Sequence, residues 1–217
     1  SGKFSLSPND HQDEGWFCKI CSRNGGYRTP ELNDKLYLHS LGIEKIEGLD
    51  EFIGLKAIWL QNNLISCIEG LSHLSHLRVL HLNNNRIASI HGLAGLDLDT
   101  LNLSANLIKS LDGIDMVPNL QNLYISRNQL RSANDVAPIA LCPKLIVLDL
   151  SENILDDEEV VTALVPLSEL HALSFAGNPL CSSPRMSPYR KRVLASLPGL
   201  TCFDDVPVDP VERRCAE

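Results

Sequence analysis

Two cysteines near the start of the chain have the spacing of a reactive or metal-binding pair. Cys18 and Cys21 form a C-x-x-C motif, which occurs in zinc sites and in thiol–disulfide enzymes. A zinc site usually needs four ligands, but the sequence has no second C-x-x-C, and His11 is the only histidine nearby. On a helix, Cys21 would join an apolar face with Trp16 and Ile20. We therefore expect the motif to pack, and we predict no metal and no cofactor.

No other group of residues has the pattern of a catalytic site. The chain lacks the G-x-S-x-G, G-x-x-x-x-G-K-[ST] and H-E-x-x-H motifs. Its net charge of -8 is poorly suited to phosphate backbones, and no apolar run approaches the ~18 residues of a membrane span. The seven cysteines are odd in number and mostly isolated, which indicates reduced thiols. We expect a non-enzymatic protein of the cytosol or cilium that binds neither nucleic acid nor membranes.

Six asparagines stand at the same position of a repeated apolar frame. The frame reads L-x-x-L-x-L-x-x-N-x-L with two later apolar positions, and it recurs from Leu55 at intervals of 21 to 25 residues. An asparagine amide can hydrogen-bond the backbone groups that an irregular turn leaves unpaired, so we assign these residues a structural role. The predicted asparagine ladder consists of Asn63, Asn85, Asn106, Asn128, Asn153 and Asn178.

This frame is typical of a leucine-rich-repeat solenoid, an α/β fold in which each L-x-L forms a short parallel strand. One repeat cannot bury its apolar face alone, so neighbouring repeats stack and share one core. An upstream copy that begins at Leu36 also fits, although Leu41 replaces the asparagine, and it brings the total to seven repeats. We expect a curved parallel sheet on the concave face, a helical cap over residues 1–32, repeats over residues 33–180 and a C-terminal cap over residues 181–217.

Both ends of such a stack expose apolar core and need caps. At the N-terminus we expect a short helix from about Asp10 to about Gly25. At the C-terminus we expect a helix that starts at the Ser-Pro pair of residues 187–188 and a final strand near residues 200–203. The two longest repeats leave room for helices on the convex side, one of them after the acidic pair of residues 156–157.

The strand positions that point away from the core form the candidate interaction surface. Packing does not require Trp59 or Tyr124 there, and exposed aromatic residues are typical interface anchors, although these rings could instead shield the sheet. The first three repeats are aromatic and rich in histidine, while the sixth offers Asp149 and Glu152, so a partner with an apolar patch and basic groups would suit this surface. The predicted surface comprises Tyr37, His39, Trp59, Gln61, His81, Asn102, Tyr124 and Asp149.

A basic triplet, Arg190, Lys191 and Arg192, stands out in an acidic chain. We interpret it as the solvated face of the C-terminal helix, and the alternative is a contact to an acidic partner.

Several segments resemble a known family. The ending Y-R-x-x-V-x-x-x-L-P-x-L, from Tyr189 to Leu200, is similar to that of leucine-rich repeats in protein-phosphatase-1 regulators and ciliary proteins. YRTPELNDKLYLH at residues 27–39, GLKAIWLQ at residues 54–61 and DDVPV at residues 204–208 resemble the dynein axonemal assembly factor 1 family. This resemblance covers nearly the whole chain, from about Cys18 onward.

The resemblance implies a cytoplasmic protein of ciliated or flagellated cells that helps to pre-assemble dynein arms before transport to the axoneme. It implies protein partners, namely dynein arm chains, other assembly factors or chaperones, and no catalytic residues. Two alternatives stay open: a light-chain-like subunit that remains bound to axonemal dynein, and a regulatory subunit of a protein phosphatase. In each case we expect a monomeric, protein-binding scaffold.

Overall fold

The computed structural model describes residues 14–182 and 189–216, which are organised around one nine-stranded sheet. The strands follow one another in the sheet in chain order; the first eight are parallel and the last is antiparallel to its neighbour. This topology confirms the predicted α/β solenoid with a parallel sheet. The strands are β1 (Lys35–Tyr37), β2 (Ala57–Trp59), β3 (Val79–His81), β4 (Thr100–Asn102), β5 (Asn122–Tyr124), β6 (Val147–Asp149), β7 (Ala172–Ser174), β8 (Cys202–Phe203) and β9 (Val206–Pro207).

An apolar side chain at the centre of each repeat strand builds the core. These residues lie in register from Leu36 beside Ile58 through to Leu173 beside Phe203, and each is at most 3% exposed. Burying one aliphatic side chain contributes roughly 1.5–3 kcal/mol relative to leaving it exposed. Because each repeat supplies only a few such residues, stacking in register is what joins them into one continuous core.

The ladder asparagines hold neighbouring repeats together. The Nδ2 group of Asn85 donates to Leu82 O at 2.9 Å within its own repeat and to Leu60 O at 3.0 Å in the preceding repeat. Its Oδ1 accepts from Ile65 N, also in the preceding repeat, at 3.0 Å. Each asparagine therefore provides hydrogen bonds to buried backbone groups of two repeats. Each of these groups would cost about 1–3 kcal/mol of stability if it were left without a partner. The same three bonds recur at Asn63, Asn106, Asn128, Asn153 and Asn178.

The residue before each ladder asparagine has a left-handed backbone, with φ from 51° at Glu152 to 79° at Gly177. This conformation places Cβ close to a carbonyl oxygen, and it is least costly for glycine and asparagine. At Ala105 φ is 55°, and alanine has neither the missing Cβ of glycine nor the polar side chain of asparagine. The turn that contains Ala105 therefore stores local strain.

The segments that return from one strand to the next contain short helices. The two longest repeats contain α2 (Ala133–Val136) and α3 (Glu159–Ala163). The second follows the acidic pair at residues 156–157, and Asp157 Oδ1 accepts from Glu159 N at 2.9 Å. A carboxylate that accepts a backbone N–H at this end of a helix stabilises its first turn. Single turns of 3-10 helix lie at Pro30–Leu32, Ile114–Met116, Ala137–Leu141 and Pro179–Ser182.

A helix covers the N-terminal end of the stack. This helix, α1 (Glu14–Arg23), ends close to the expected Gly25, while the expected start near Asp10 lies outside the described residues. Trp16 and Cys21 are only 5% and 4% exposed and belong to the common core. The helix therefore caps the first repeat with its apolar face.

The C-terminal cap contains more elements than the sequence predicts. It contains α4 (Tyr189–Ser196), whose expected start at residues 187–188 lies outside the described residues. Val193 and Leu194 of this helix are at most 1% exposed, and β8 supplies the expected final parallel strand. The antiparallel β9 and the helix α5 (Pro210–Ala216) were not expected from the sequence. These two elements have no counterpart in the repeats, so periodicity gives no sign of them.

Candidate protein-interaction surface

The residues that end the seven repeat strands form a single row of half-buried side chains, which we call the strand face. They alternate with the buried central residues and therefore point away from the core. Register pairing sets each member beside the next, from Tyr37 beside Trp59 to Asp149 beside Ser174. The strand face consists of Tyr37, Trp59, His81, Asn102, Tyr124, Asp149 and Ser174. His39 and Gln61, from the second predicted row, lie two positions later on the same side, His39 exposed and Gln61 half-buried.

Three rings of the strand face stack on one another. The centroids of Tyr37 and Trp59 are 4.5 Å apart with 19° between their planes, and those of Trp59 and His81 are 5.6 Å apart with 18° between theirs. We call these three residues the aromatic stack. Stacked pairs are worth roughly 0.5–1.5 kcal/mol each beyond the apolar area they bury. The sequence predicts these rings as separate anchors, although their equivalent places in consecutive repeats indicate that they lie side by side.

Partial burial sets the charge of the last ring in the stack. It lowers the pKa of His81, because the charged form loses solvation. The ring is therefore predominantly neutral at neutral pH, and the aromatic stack presents an uncharged, largely apolar surface.

A buried acceptor lies beside the stack. Gln61 Oε1 is inaccessible to solvent and has no hydrogen-bond partner within the described part of the chain. A buried polar atom without a partner costs free energy, so this oxygen destabilises the arrangement in which it is buried.

The later part of the strand face is polar. Asp149 Oδ1 accepts from both the backbone N and the Oγ of Ser151, at 3.0 and 2.6 Å, which fixes this carboxylate. Asn102 Oδ1 likewise accepts from Ser104 N at 3.0 Å. Tyr124 makes no ring contact with another described residue, in contrast to the rings of the first three repeats.

The interpretation of the basic triplet as a solvated face is wrong for Arg190, whose side chain is only 27% exposed, whereas Lys191 and Arg192 are exposed as expected. Arg190 binds Glu212 of α5 through Nε at 2.5 Å and Nη2 at 3.0 Å, and its Nη1 donates to Phe203 O at 2.9 Å. Arg192 forms an ion pair with Glu158 at 2.9 Å. Arg190 thus joins α4, β8 and α5, and these two charges are engaged within the chain rather than offered to an acidic partner. The unforeseen α5 is the reason that the sequence did not reveal the pairing of Arg190 with Glu212.

The structure offers little sign of metal binding, thiol chemistry or membrane insertion in the part of the chain that it describes. Among residues 14–182 and 189–216, no three His, Cys, Asp or Glu side chains are grouped so that they could hold a metal ion. Burial raises the pKa of the Cys142 thiol to about 11, so this cysteine is protonated and unreactive at neutral pH. None of the helices in the described ranges is long and apolar enough to span a membrane.

Comparison with family models matches the repeats. A model described as "Leucine-rich repeat" matches residues 92–217, and one described as "Leucine Rich repeats (2 copies)" matches residues 53–97. Together they cover the repeats from the second onward and the C-terminal cap.

Curated proteins with similar sequences carry a more specific name. Dynein axonemal assembly factor 1 of Homo sapiens is 54% identical over 92% of this chain, and that of Rattus norvegicus is 51% identical over all of it. The leucine-rich repeat-containing protein ODA7 of Chlamydomonas reinhardtii is 49% identical over 92% of this chain. The aligned region spans 27%, 35% and 46% of those three proteins, respectively.

Solved structures share the architecture. Internalin C2 of Listeria monocytogenes matches with a TM-score of 0.60 at 23% identity, over 86% of this chain and 91% of that chain. The chain in a TLR13–ssRNA13 complex matches with a TM-score of 0.66 at 26% identity, over 81% of this chain and 25% of that chain. At this level of identity, the internalin match supports the fold alone.

Proposed function

The chain belongs to the leucine-rich-repeat family, and we propose that it is a protein-binding scaffold that acts in the cytoplasmic pre-assembly of axonemal dynein arms. One observation carries the assembly role: about half of the residues are identical to proteins named dynein axonemal assembly factor 1, over at least 92% of this chain. Because the chain spans less than half of each of these relatives, the proposal concerns the binding function that this part contributes.

The strand face is the proposed binding surface. Its aromatic stack is held in place before any partner arrives, so little side-chain freedom is lost on binding. Partly exposed Trp and Tyr rings are frequent anchors of protein interfaces.

The proposed partners are dynein arm chains, other assembly factors or chaperones, bound by a monomeric chain in the cytoplasm of cells that build cilia or flagella. We propose a binding role without catalysis and without nucleic acid. The net charge of -8 and the acidic end of the strand face support a protein partner over a phosphate backbone.

A pull-down from ciliated-cell cytosol tests this proposal. The wild-type chain is compared with a strand-face variant, Tyr37→Ala/Trp59→Ala/Tyr124→Ala, and bound proteins are identified by mass spectrometry. A second variant, Tyr124→Ala, removes a ring that has no stacked neighbour and keeps the aromatic stack intact. The matched control, Met116→Ala/Leu141→Ala/Val165→Ala, truncates exposed apolar residues of the connecting segments. Circular dichroism establishes that each variant is folded.

We expect dynein arm chains or assembly factors with wild type and control, and reduced amounts with both strand-face variants, since truncating a good anchor typically costs ~2 kcal/mol or more. Equal recovery of these proteins with every variant would show that the binding site lies outside the strand face. Recovery of phosphatase activity without dynein-related proteins would contradict the assembly role, and retention of the protein on detergent-stripped axonemes would favour a stable subunit.

A further inference from the structure

The strand face contains a hollow of about 170 Å³ in its later repeats. It lies where the side chains of the strand face become smaller, from Tyr124 to Asp149 and then to Ser174. Ala172 also lines it. The turn between β8 and β9 closes its far side with Asp205. The lining of the hollow therefore includes one aromatic ring, several small and aliphatic side chains, and two carboxylates.

The two carboxylates of this hollow differ from the third one nearby. Asp204 is engaged: its Oδ1 accepts from Phe175 N at 2.7 Å and from Ala176 N at 3.0 Å. Asp149 uses one oxygen for Ser151, and the Asp205 carboxylate makes no hydrogen bond or ion pair within the described part of the chain. The hollow thus presents negative charge that remains available for a ligand.

The arginines of this region are each paired with a glutamate, and the charge of Arg127 also interacts with that of Asp149. Both Nε and Nη2 of Arg127 bind Glu152 at 2.9 Å. Arg190 is held by Glu212. No lysine or arginine is among the described residues that line the hollow.

We propose that this hollow receives an arginine side chain of the bound protein, a step that rests on the proposed role of the strand face in protein binding. A guanidinium group is planar, carries five N–H donors and stacks on aromatic rings, so it matches a site lined by one tyrosine and two carboxylates. The Tyr124 ring and the Asp149 and Asp205 carboxylates would together discriminate against an uncharged side chain of the same shape.

The spacing along the sheet adds a second requirement on the partner. Trp59 in β2 and Asp149 in β6 are four strand spacings apart, or roughly 19 Å at about 4.8 Å per strand. An extended chain that rises about 3.3 Å per residue covers this distance in about six residues. The partner segment should therefore present an apolar residue for the aromatic stack and an arginine about six positions away.

Titration of the ¹⁵N-labelled chain with N-acetylarginine methylamide, followed by NMR chemical shifts, tests the hollow directly. N-acetylcitrulline methylamide is the matched probe, because it has nearly the same shape but no charge. The test variant is Asp149→Asn/Asp205→Asn, which keeps an acceptor oxygen for Ser151 and a residue type that tolerates a left-handed backbone. The control variant, Asp50→Asn/Asp112→Asn, removes the same charge from exposed residues of the connecting segments.

We expect the arginine probe to shift the amides of Asp149, Ser151, Ser174 and Asp205 in wild type and control, with binding about tenfold weaker in the test variant. The citrulline probe should leave these amides in place. Equal shifts with both probes, unchanged binding by a folded test variant, or shifts elsewhere on the chain would overturn the assignment. This result does not depend on the pull-down, so failure of the arginine site and failure of the assembly role remain distinguishable.

Discussion

The strand face has the same backbone arrangement in its first three repeats and in its later ones. The two halves differ in how many of their side chains contact one another. In the first three repeats the rings of Tyr37, Trp59 and His81 stack, so each ring already has a partner in the folded chain. In the later repeats Tyr124 has no ring neighbour among the described residues, and Asp149 borders a hollow. A side chain on the strand face is therefore not always free to contact a partner. The first half stabilises the fold and offers a preformed apolar surface, whereas the second keeps an aromatic ring and charge available for a partner.

The largest expected loss of stability comes from removing the ladder asparagine that joins these two halves. Asn106 bonds Leu82 O and Ile87 N of the His81 repeat and Leu103 O of the Asn102 repeat. Asn106→Leu leaves these buried groups unpaired and should lower the free energy of unfolding by about 3 kcal/mol. Urea denaturation measures this loss.

Asn134→Leu, at an exposed position of α2, is the matched control for that change and should stay within about 0.5 kcal/mol of wild type. An unshifted midpoint for Asn106→Leu would contradict the view that the ladder holds neighbouring repeats together.

The next effect separates the two halves directly. Trp59→Ala removes two stacked ring contacts and half-buried apolar area, and should cost about 2 kcal/mol of stability. Tyr124→Ala removes a ring without a stacked neighbour and should cost less than about 1 kcal/mol. Thermal and urea unfolding of both variants give the comparison. Equal losses would show that the aromatic stack adds nothing to the fold.

A smaller effect, of opposite sign, concerns the turn that every repeat uses. Ala105→Gly should raise stability by roughly 1 kcal/mol, because glycine adopts the observed φ of 55° without the Cβ contact. Ala88→Gly, at an exposed position where φ is not positive, should instead lower stability slightly. Differential scanning calorimetry of the pair checks the sign, and a lower melting temperature for Ala105→Gly would rule out strain at this turn.

The smallest effect is a pH dependence confined to the aromatic half. Burial lowers the pKa of His81, so the unfolded chain binds more protons than the folded chain between the folded pKa and the ordinary value of about 6.5. The His81 contribution is therefore fully present above the unfolded pKa and is lost as pH falls through the folded pKa. Unfolding experiments between pH 7.5 and 5 should show less loss for His81→Gln than for wild type. Parallel pH profiles for the two chains would exclude His81 as the cause.

Periodicity made most of the fold predictable from the sequence. The seven repeats, the order of their strands and the inward leucines follow from a frame that places the same residue types at the same positions. It also located the strand face, because side chains alternate along a strand. What it missed within the repeats is the contact between their side chains: equivalent positions place Trp59 beside Tyr37, but the distance and angle between the rings depend on packing.

Contacts that occur only once could not be predicted in this way. Asn33 organises the segment before the first repeat, where its Oδ1 accepts from Tyr27 N at 2.9 Å and its Nδ2 donates to Thr29 O at the same distance. Arg190 joins the C-terminal elements through Glu212. No repeated pattern marks either residue. The hollow is similar, since it depends on the β8–β9 turn that has no equivalent in the repeats.

Site-specific photo-crosslinking in ciliated-cell cytosol tests the central claim, that the strand face binds proteins of dynein arm assembly. p-Benzoylphenylalanine is placed at position 124 on the strand face, or at position 141 in a connecting segment where Leu141 is exposed. We expect crosslinks to dynein arm chains or assembly factors from position 124 and few from position 141. Crosslinks to those proteins from position 141 alone would contradict it.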